Sequence, residues 1–250
     1  MKEVKLRNIV LGNGRPKIAV PIVADDQISI EKQAQAIVSA QPDVVEWRID
    51  FFDDVLDFEK LRSAALRLRK ILAELPLLTT FRTIEEGGSR KLDEAKYFQI
   101  VHFVIENELT DAIDLELFHQ RSQIERIVAL ANTHGIKVIM SSHDFARTPA
   151  AEEIYYRLHV MADLGADVAK IAVMPQNSND VLTLLQVTAQ AHAQLDLPLI
   201  TMAMGDLGKV TRMAGEVFGS ALTFGAVEKA SAPGQLSIAE LRRALDNLKI

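Results

Sequence analysis

The sequence predicts an α/β fold, a (β/α)8 TIM barrel with an N-terminal β-hairpin closing the barrel floor, and three observations carry that prediction. Short β-branched runs alternate eight times with longer stretches of helical period. Spread over 250 residues, these units lie about 30 residues apart, the usual size for such a barrel. Aromatic residues are scarce at 6%, while Ala, Leu, Ile and Val dominate, as suits parallel strands covered by helices.

The elements follow in order. Residues 4–9 read as part of a small hairpin closed by the Gly12-Asn13-Gly14 turn. KIAVPIV (17–23) is the first barrel strand and SIEKQAQAIVSA (29–40) the helix after it. DVVEWRID (43–50) precedes a helix in which Leu61, Ala65, Leu68 and Leu72 repeat at helical spacing. LLTTFR (77–82) precedes a helix from Asp93 to Glu106. AIDLEL (112–117) precedes a helix opened by Ser122 and Glu125 in a capping-box pattern. KVIMSSHD (137–144) precedes a helix that Thr148 caps and Pro149 begins, with Gly165 placed to end it. VAKIAV (168–173) precedes a helix with Val181, Leu184, Leu185 and Thr188 on one face. LITMAM (199–204) precedes a short helix near 209–217. LTFGAV (222–227) precedes the last helix, capped by Ser237 and Glu240. With no linker or low-complexity stretch between units, residues 1–250 are expected to form one barrel domain. A doubly wound nucleotide-binding sheet is disfavoured, because Gly12-Asn13-Gly14 precedes the first strand instead of following it.

Composition narrows the function. There is no cysteine, which excludes disulfides, Cys-based zinc sites and a thiol nucleophile. The net charge of −6, without a basic stripe, argues against nucleic acid as a partner. No apolar run approaches ~18 residues, so no membrane span is expected. MKEVKLRNIV alternates and carries charges, unlike a signal peptide, which points to a cytoplasmic protein.

In a barrel, chemistry collects at the C-terminal ends of the strands. Alternation puts Glu46, Arg48 and Asp50 on the inward face of the second strand, where Glu46 and Arg48 could equally form an internal ion pair. Arg82 ends the third strand, Glu85 and Glu86 follow it, and the fourth offers Asp114 and Glu116. The fifth ends in His143-Asp144, where Asp144 reads as a loop cap. Met202 and Met204 read as barrel packing, and Gly205–Lys209 lacks the spacing of a phosphate loop. His102, His119, His134, His159 and His192 read as surface residues, and no metal-ligand spacing joins them.

Lys170 is a cation in the middle of an apolar strand. It shares a face with Val168 and Ala172, next to the strand that carries His143. A sheath of small apolar neighbours with cations nearby would favour a neutral amine, which attacks a ketone to form an imine. The adjacent C–H then becomes acidic, and His143 is placed to move that proton. Arg212 or Arg82 offers a fork for a substrate carboxylate. Residue pattern alone leaves three readings: a dehydratase of a small hydroxy-keto acid, a class I Schiff-base aldolase acting on a small keto compound, and a non-catalytic barrel with Lys170 in an ion pair.

DLEL (114–117), VIMSSHDF (138–145), Lys170 and GEVFGSALTFGAVEKASAPGQLSIAEL (215–241), with EWRID and FRTIEEGG, resemble the type I 3-dehydroquinate dehydratases over essentially the whole chain. That resemblance implies a shikimate-pathway lyase, a homodimer that needs no metal or cofactor. Its members form an imine between lysine and 3-dehydroquinate and eliminate water to give 3-dehydroshikimate. It implies Lys170 as the Schiff-base residue, His143 as general acid and base, and Glu86 as the carboxylate that orients His143. Arg212 would grip the substrate carboxylate. Glu46, Arg48 and Arg82 would contact ring hydroxyls and carboxylate, and Ser231 and Gln235 would close over the substrate. The chain departs from the family at Ser142, where Asn or Tyr is common.

Overall fold

In the computed structural model, residues 3–227 and 232–249 are described. The chain opens with an antiparallel hairpin, β1 (Val4–Leu6) against β2 (Ile9–Leu11). Its turn is Arg7-Asn8, with Arg7 at φ 47°, and not the expected Gly12–Gly14 stretch. Asp111 holds the Arg7 guanidinium at 2.7 Å, which fixes this tighter turn. Gly12 and Gly14, both at positive φ, instead bend the chain into the barrel.

The barrel strands lie where the β-branched runs place them: β3 (Lys17–Ile22), β4 (Val44–Arg48), β5 (Leu77–Thr80), β6 (Ala112–Glu116), β7 (Lys137–Asp144), β8 (Val168–Val173), β9 (Leu199–Ala203) and β10 (Leu222–Ala226). They pair in parallel and in chain order, and β10 returns to β3. Between β9 and β10 the seam is joined by the Ala221 N–H to the Leu199 carbonyl at 2.7 Å. A short β11 (Leu236–Ser237) adds to β10 beyond its mouth end.

Helices cover the outside: α1 (Gln27–Ser39), α2 (Phe58–Leu72), α3 (Glu94–Glu106), α4 (Arg121–Thr133), α5 (Ala151–Asp163), α6 (Ser178–Gln194), α7 (Lys209–Met213), α8 (Gly215–Phe218) and α9 (Ile238–Asn247). Asp26, Asp57, Asp93 and Asn177 cap α1, α2, α3 and α6, and Ser237 with Glu240 forms the expected capping box on α9. Gly165, at φ 83°, follows α5 as expected. Two caps differ from expectation. Ser122 and Glu125 lie inside α4, whose N-cap is Gln120, and the Gln120 N–H donates to Glu94. Helix α5 begins after Ala150, because Asp144 first holds the Ala146 and Arg147 N–H groups in a turn.

Two apolar layers result. One lies between strands and helices and contains Trp47, Phe81, Leu115 and Ile171. The other fills the lower barrel, where Val4, Leu6 and Leu11 of the hairpin pack on inward-facing Val44, Leu78, Ala112, Ile139 and Val168. The hairpin is the floor.

Candidate active site

The inward face that is apolar at the floor becomes ionic toward the mouth. On β4 it runs Val44, Glu46, Arg48; on β6 Ala112, Asp114, Glu116; on β7 Ile139, Ser141, His143; on β8 Val168, Lys170, Ala172. Of these upper residues, Glu46, Arg48, His143, Lys170 and Ala172 line a pocket together with Arg82, Glu86, Arg212, Phe224 and Gln235 among others. Ser231 lies outside the described residues.

Lys170 is 3% exposed. Its Nζ donates to Asp114 Oδ2 at 3.0 Å, lies 3.8 Å from Glu46 Oε1, and sits 4.8 Å from the centre of the Phe224 ring. The sheath is therefore not the apolar and cationic one expected, since two carboxylates face the amine. Ser141 explains the closest contact. It stands between Asp114 and Lys170 on β7 and is small enough for the two side chains to meet, while its own hydroxyl donates to Asp114 at 2.6 Å.

The ring of His143 is oriented by Glu86. Nδ1 lies 2.9 Å from Glu86 Oε2, an oxygen that also accepts the His143 N–H at 3.1 Å and an Arg82 N–H at 3.3 Å. An oxygen committed as acceptor to two donors accepts from Nδ1–H as well, which leaves the Nε2 lone pair for the pocket. Burial holds His143 well below the usual imidazole range, and the charges of Arg82, Lys170 and Arg48 add to that. Burial pushes Glu86 up to about 8, with Arg82 opposing and Glu116 and Asp114 reinforcing the rise. Glu85 is exposed on the neighbouring turn, so Glu86 is the carboxylate at the site.

Arg82 organises the mouth. Its two terminal nitrogens reach Asp114 at 2.7 Å, Glu116 at 2.8 Å and Ser141 at 3.0 Å besides Glu86. Burial alone would weaken its charge, but these carboxylates outweigh burial and keep it a cation. Reciprocally, burial would raise Asp114, yet Arg82, Lys170 and two hydrogen bonds bring it down to about 2. Arg48 forms a two-pronged pair with Asp50 at 2.8 and 2.9 Å, not with Glu46. Glu46 instead accepts from Thr80 at 2.9 Å. Asp50 is held beside Arg48 by the Arg82 and Ser89 N–H groups, whereas Glu46, equally spaced, faces Thr80 and Lys170.

Arg212 is different. It is 1% exposed, and its terminal nitrogens meet Met202 Sδ at 3.6 Å and the Pro233 carbonyl at 3.1 Å. Its Nε has no partner among the described residues, and none of their carboxylates pairs with it. Burial lowers it to about 10, so it remains charged near neutrality. A buried guanidinium at the pocket edge with no carboxylate partner among the described residues is suited to an anionic ligand.

Asp50, Asp114 and Glu116 hold the site together although the residue pattern assigns them no role. Their signal is inward phase at the strand ends. His119 is also not the surface residue expected: its side chain is 12% exposed, packed on Tyr97 and lying between Glu94 and Glu116. Ser142 faces away from the pocket, where its hydroxyl accepts from Arg157 at 3.1 Å. Among the described residues no group of three or more His, Asp or Glu is placed to hold a metal ion, and no helix is long and apolar enough to cross a membrane.

Comparison with known proteins gives this geometry its family. The family model for type I 3-dehydroquinase matches residues 18–250. A 3-dehydroquinate dehydratase of Lactiplantibacillus plantarum is 53% identical over 99% of this chain and 98% of its own length. Among solved structures, a type I 3-dehydroquinate dehydratase from Clostridium difficile with covalently modified comenic acid superposes with a TM-score of 0.96 at 44% identity, over 99% of this chain and 98% of that one. The 3-dehydroquinate dehydratase of Enterococcus faecalis gives a TM-score of 0.93 at 39% identity, over 99% and 100% of the two chains. With the whole barrel and its mouth inside these alignments, the chain belongs to the type I 3-dehydroquinase family.

Proposed function

We propose that this chain dehydrates 3-dehydroquinate to 3-dehydroshikimate through an imine on Lys170, with His143 as general acid and base. One observation carries the reading. Lys170 and His143 stand on neighbouring strands and line one pocket, with Glu86 fixing the histidine and Arg212 buried at the edge without a carboxylate partner among the described residues.

The carboxylate of the substrate would dock on Arg212, which turns the ring ketone toward β8. Glu46, Arg48, Arg82, Gln235 and Ser231 would hold the remaining oxygens. Because the terminal nitrogens of Arg82 already serve internal carboxylates, its part is chiefly to fix the charge around them. Asp114 anchors the Lys170 amine, which must be unprotonated to attack.

Chemistry then proceeds in four steps. His143 first takes a proton from Lys170 Nζ; the freed amine then bonds to the ketone carbon, and the carbonyl oxygen leaves as water after taking up two protons, one from the amine and the one His143 has just received. Neutral His143 next removes a proton from the carbon beside the imine, and that electron pair moves onto the iminium nitrogen. The resulting enamine returns the pair and expels the β-hydroxyl, which His143 protonates as it leaves. Water finally hydrolyses the conjugated imine, freeing product and lysine, so one water is lost overall. Burial favours this cycle by keeping His143 in its basic form at neutral pH.

By the same family resemblance the chain is proposed to act as a cytoplasmic homodimer. The test of the activity is direct: mixing the chain with 3-dehydroquinate should generate the absorbance of a conjugated enone, and its absence at stoichiometric enzyme would refute the reading.

A further inference from the structure

We propose that His119 is a positioning residue for the dehydration, acting through Glu116 and Arg82 on the hold that Glu86 has over His143; this rests on the function proposed above. The basis is a string of contacts from the surface to the base. Glu94, on the first turn of α3, lies 3.2 Å from His119 Nδ1. His119 Nε2 lies 3.5 Å from Glu116 Oε2, within ion-pair distance but without the alignment of a hydrogen bond. Glu116 Oε1 accepts from Arg82 Nη1 at 2.8 Å, and the same nitrogen reaches Glu86 at 3.3 Å. Glu86 then holds His143 Nδ1 at 2.9 Å.

The string does not conduct protons, because Arg82 stays protonated among its carboxylates. What it transmits is a competition. Glu116 and Glu86 draw on one nitrogen of Arg82, so each carboxylate's claim depends on its other partners. Glu116 Oε2 has the Thr83 hydroxyl at 2.7 Å and the His119 ring. Without the imidazole at position 119, Glu116 leans harder on Arg82. Glu86 is then less well neutralised, retains its proton to higher pH and supports an imidazolium on His143 less well.

Helix α3 supplies Glu94 and the Tyr97 ring, whose centre is 4.3 Å away, and Phe98 closes one side. Arg121 and Arg157 line the same groove, but each is paired on its own helix, with Glu125 and Glu153. Glu94 and Glu116 are thus the carboxylates that face the ring. A neutral imidazole can donate to one of them and an imidazolium to both.

Two variants separate positioning from packing. His119→Phe preserves the ring against Tyr97 and Phe98 and removes both nitrogens. His119→Gln removes the ring and keeps an N–H within reach of Glu116. The expected result for His119→Phe is a fall in kcat of about fivefold at neutral pH, with the acidic limb of the kcat profile, set by protonation of His143, moved down by about half a unit and KM unchanged. His119→Gln should behave as the parent. The reverse order, or parent-like profiles in both variants, or a change confined to KM, would overturn the assignment. Parent turnover is measured first: its absence refutes the dehydratase reading, whereas parent turnover with an unmoved His119→Phe profile refutes only the part given to His119.

Discussion

At the floor of the barrel Val44, Ala112, Ile139 and Val168 face the hairpin residues Val4, Leu6 and Leu11. Two residues further along the same strands stand the buried polar residues Glu46, Asp114, Ser141 and Lys170, of which Glu46 and Lys170 line the pocket. Both layers are buried, but only the lower one is good for stability alone. Removing an apolar side chain such as Leu11 from water is worth ~1.5–3 kcal/mol. Burying ions at best offsets its own desolvation, and a well-packed apolar replacement of such a cluster is often neutral or stabilising. The comparison teaches that the floor and the outer helical layer hold the fold, while the mouth keeps charge in place for chemistry.

The largest effect is expected where the comparison is sharpest. Lys170→Met should lower kcat by roughly four orders of magnitude or more while the circular dichroism spectrum and melting cooperativity persist. Asp114 would still have Arg82 at 2.7 Å, and Glu46 would keep the Thr80 hydroxyl at 2.9 Å. Loss of folding would make the mouth as structural as the floor. His143→Ala should reduce kcat by about 10²–10⁴-fold and still allow the amine to capture substrate, read as a borohydride-trapped adduct. Unchanged turnover would remove His143 from the mechanism.

The floor gives the converse prediction. Leu11→Ala leaves a cavity beneath the strands and should cost ~2–5 kcal/mol in denaturant unfolding, with kcat of the folded protein unchanged. A catalytic defect without loss of stability would break the separation of the two layers.

The smallest effect is electrostatic. Asp114 lies below its ordinary value, at about 2. Its contribution is therefore present above pH ~4 and disappears as the pH falls through the folded value, a change on the order of 2 kcal/mol. Acid unfolding of Asp114→Asn should lack this component between those limits. Equal acid sensitivity in both proteins would contradict the ion network.

Much of the fold was legible because parallel strands buried on both faces are written as local β-branched runs. The bounds of β7 and β8 coincide with those read from KVIMSSHD and VAKIAV. The hairpin turn and the starts of α4 and α5 were not legible, since each depends on a partner distant in the chain or on a competing turn: Asp111 for Arg7, Glu94 for Gln120, Asp144 for the approach to Ala151. At the site, strand phase placed Glu46, Arg48, Lys170 and His143 inward, and the family resemblance singled out Glu86. Pairing was hidden. Lys170 meets Asp114 across an intervening strand, and that contact depends on Ser141 being small. His119 was misread because its burial comes from Tyr97 and Phe98 on α3, although its place three residues after Glu116 was a usable sign.

The central claim is that the amine of Lys170 forms the covalent bond to substrate. Incubation with 3-dehydroquinate, reduction with borohydride and peptide mass mapping tests it directly. A single reduced adduct is expected, on the peptide that carries Lys170. An adduct on another lysine, or none while enone continues to form, would contradict it.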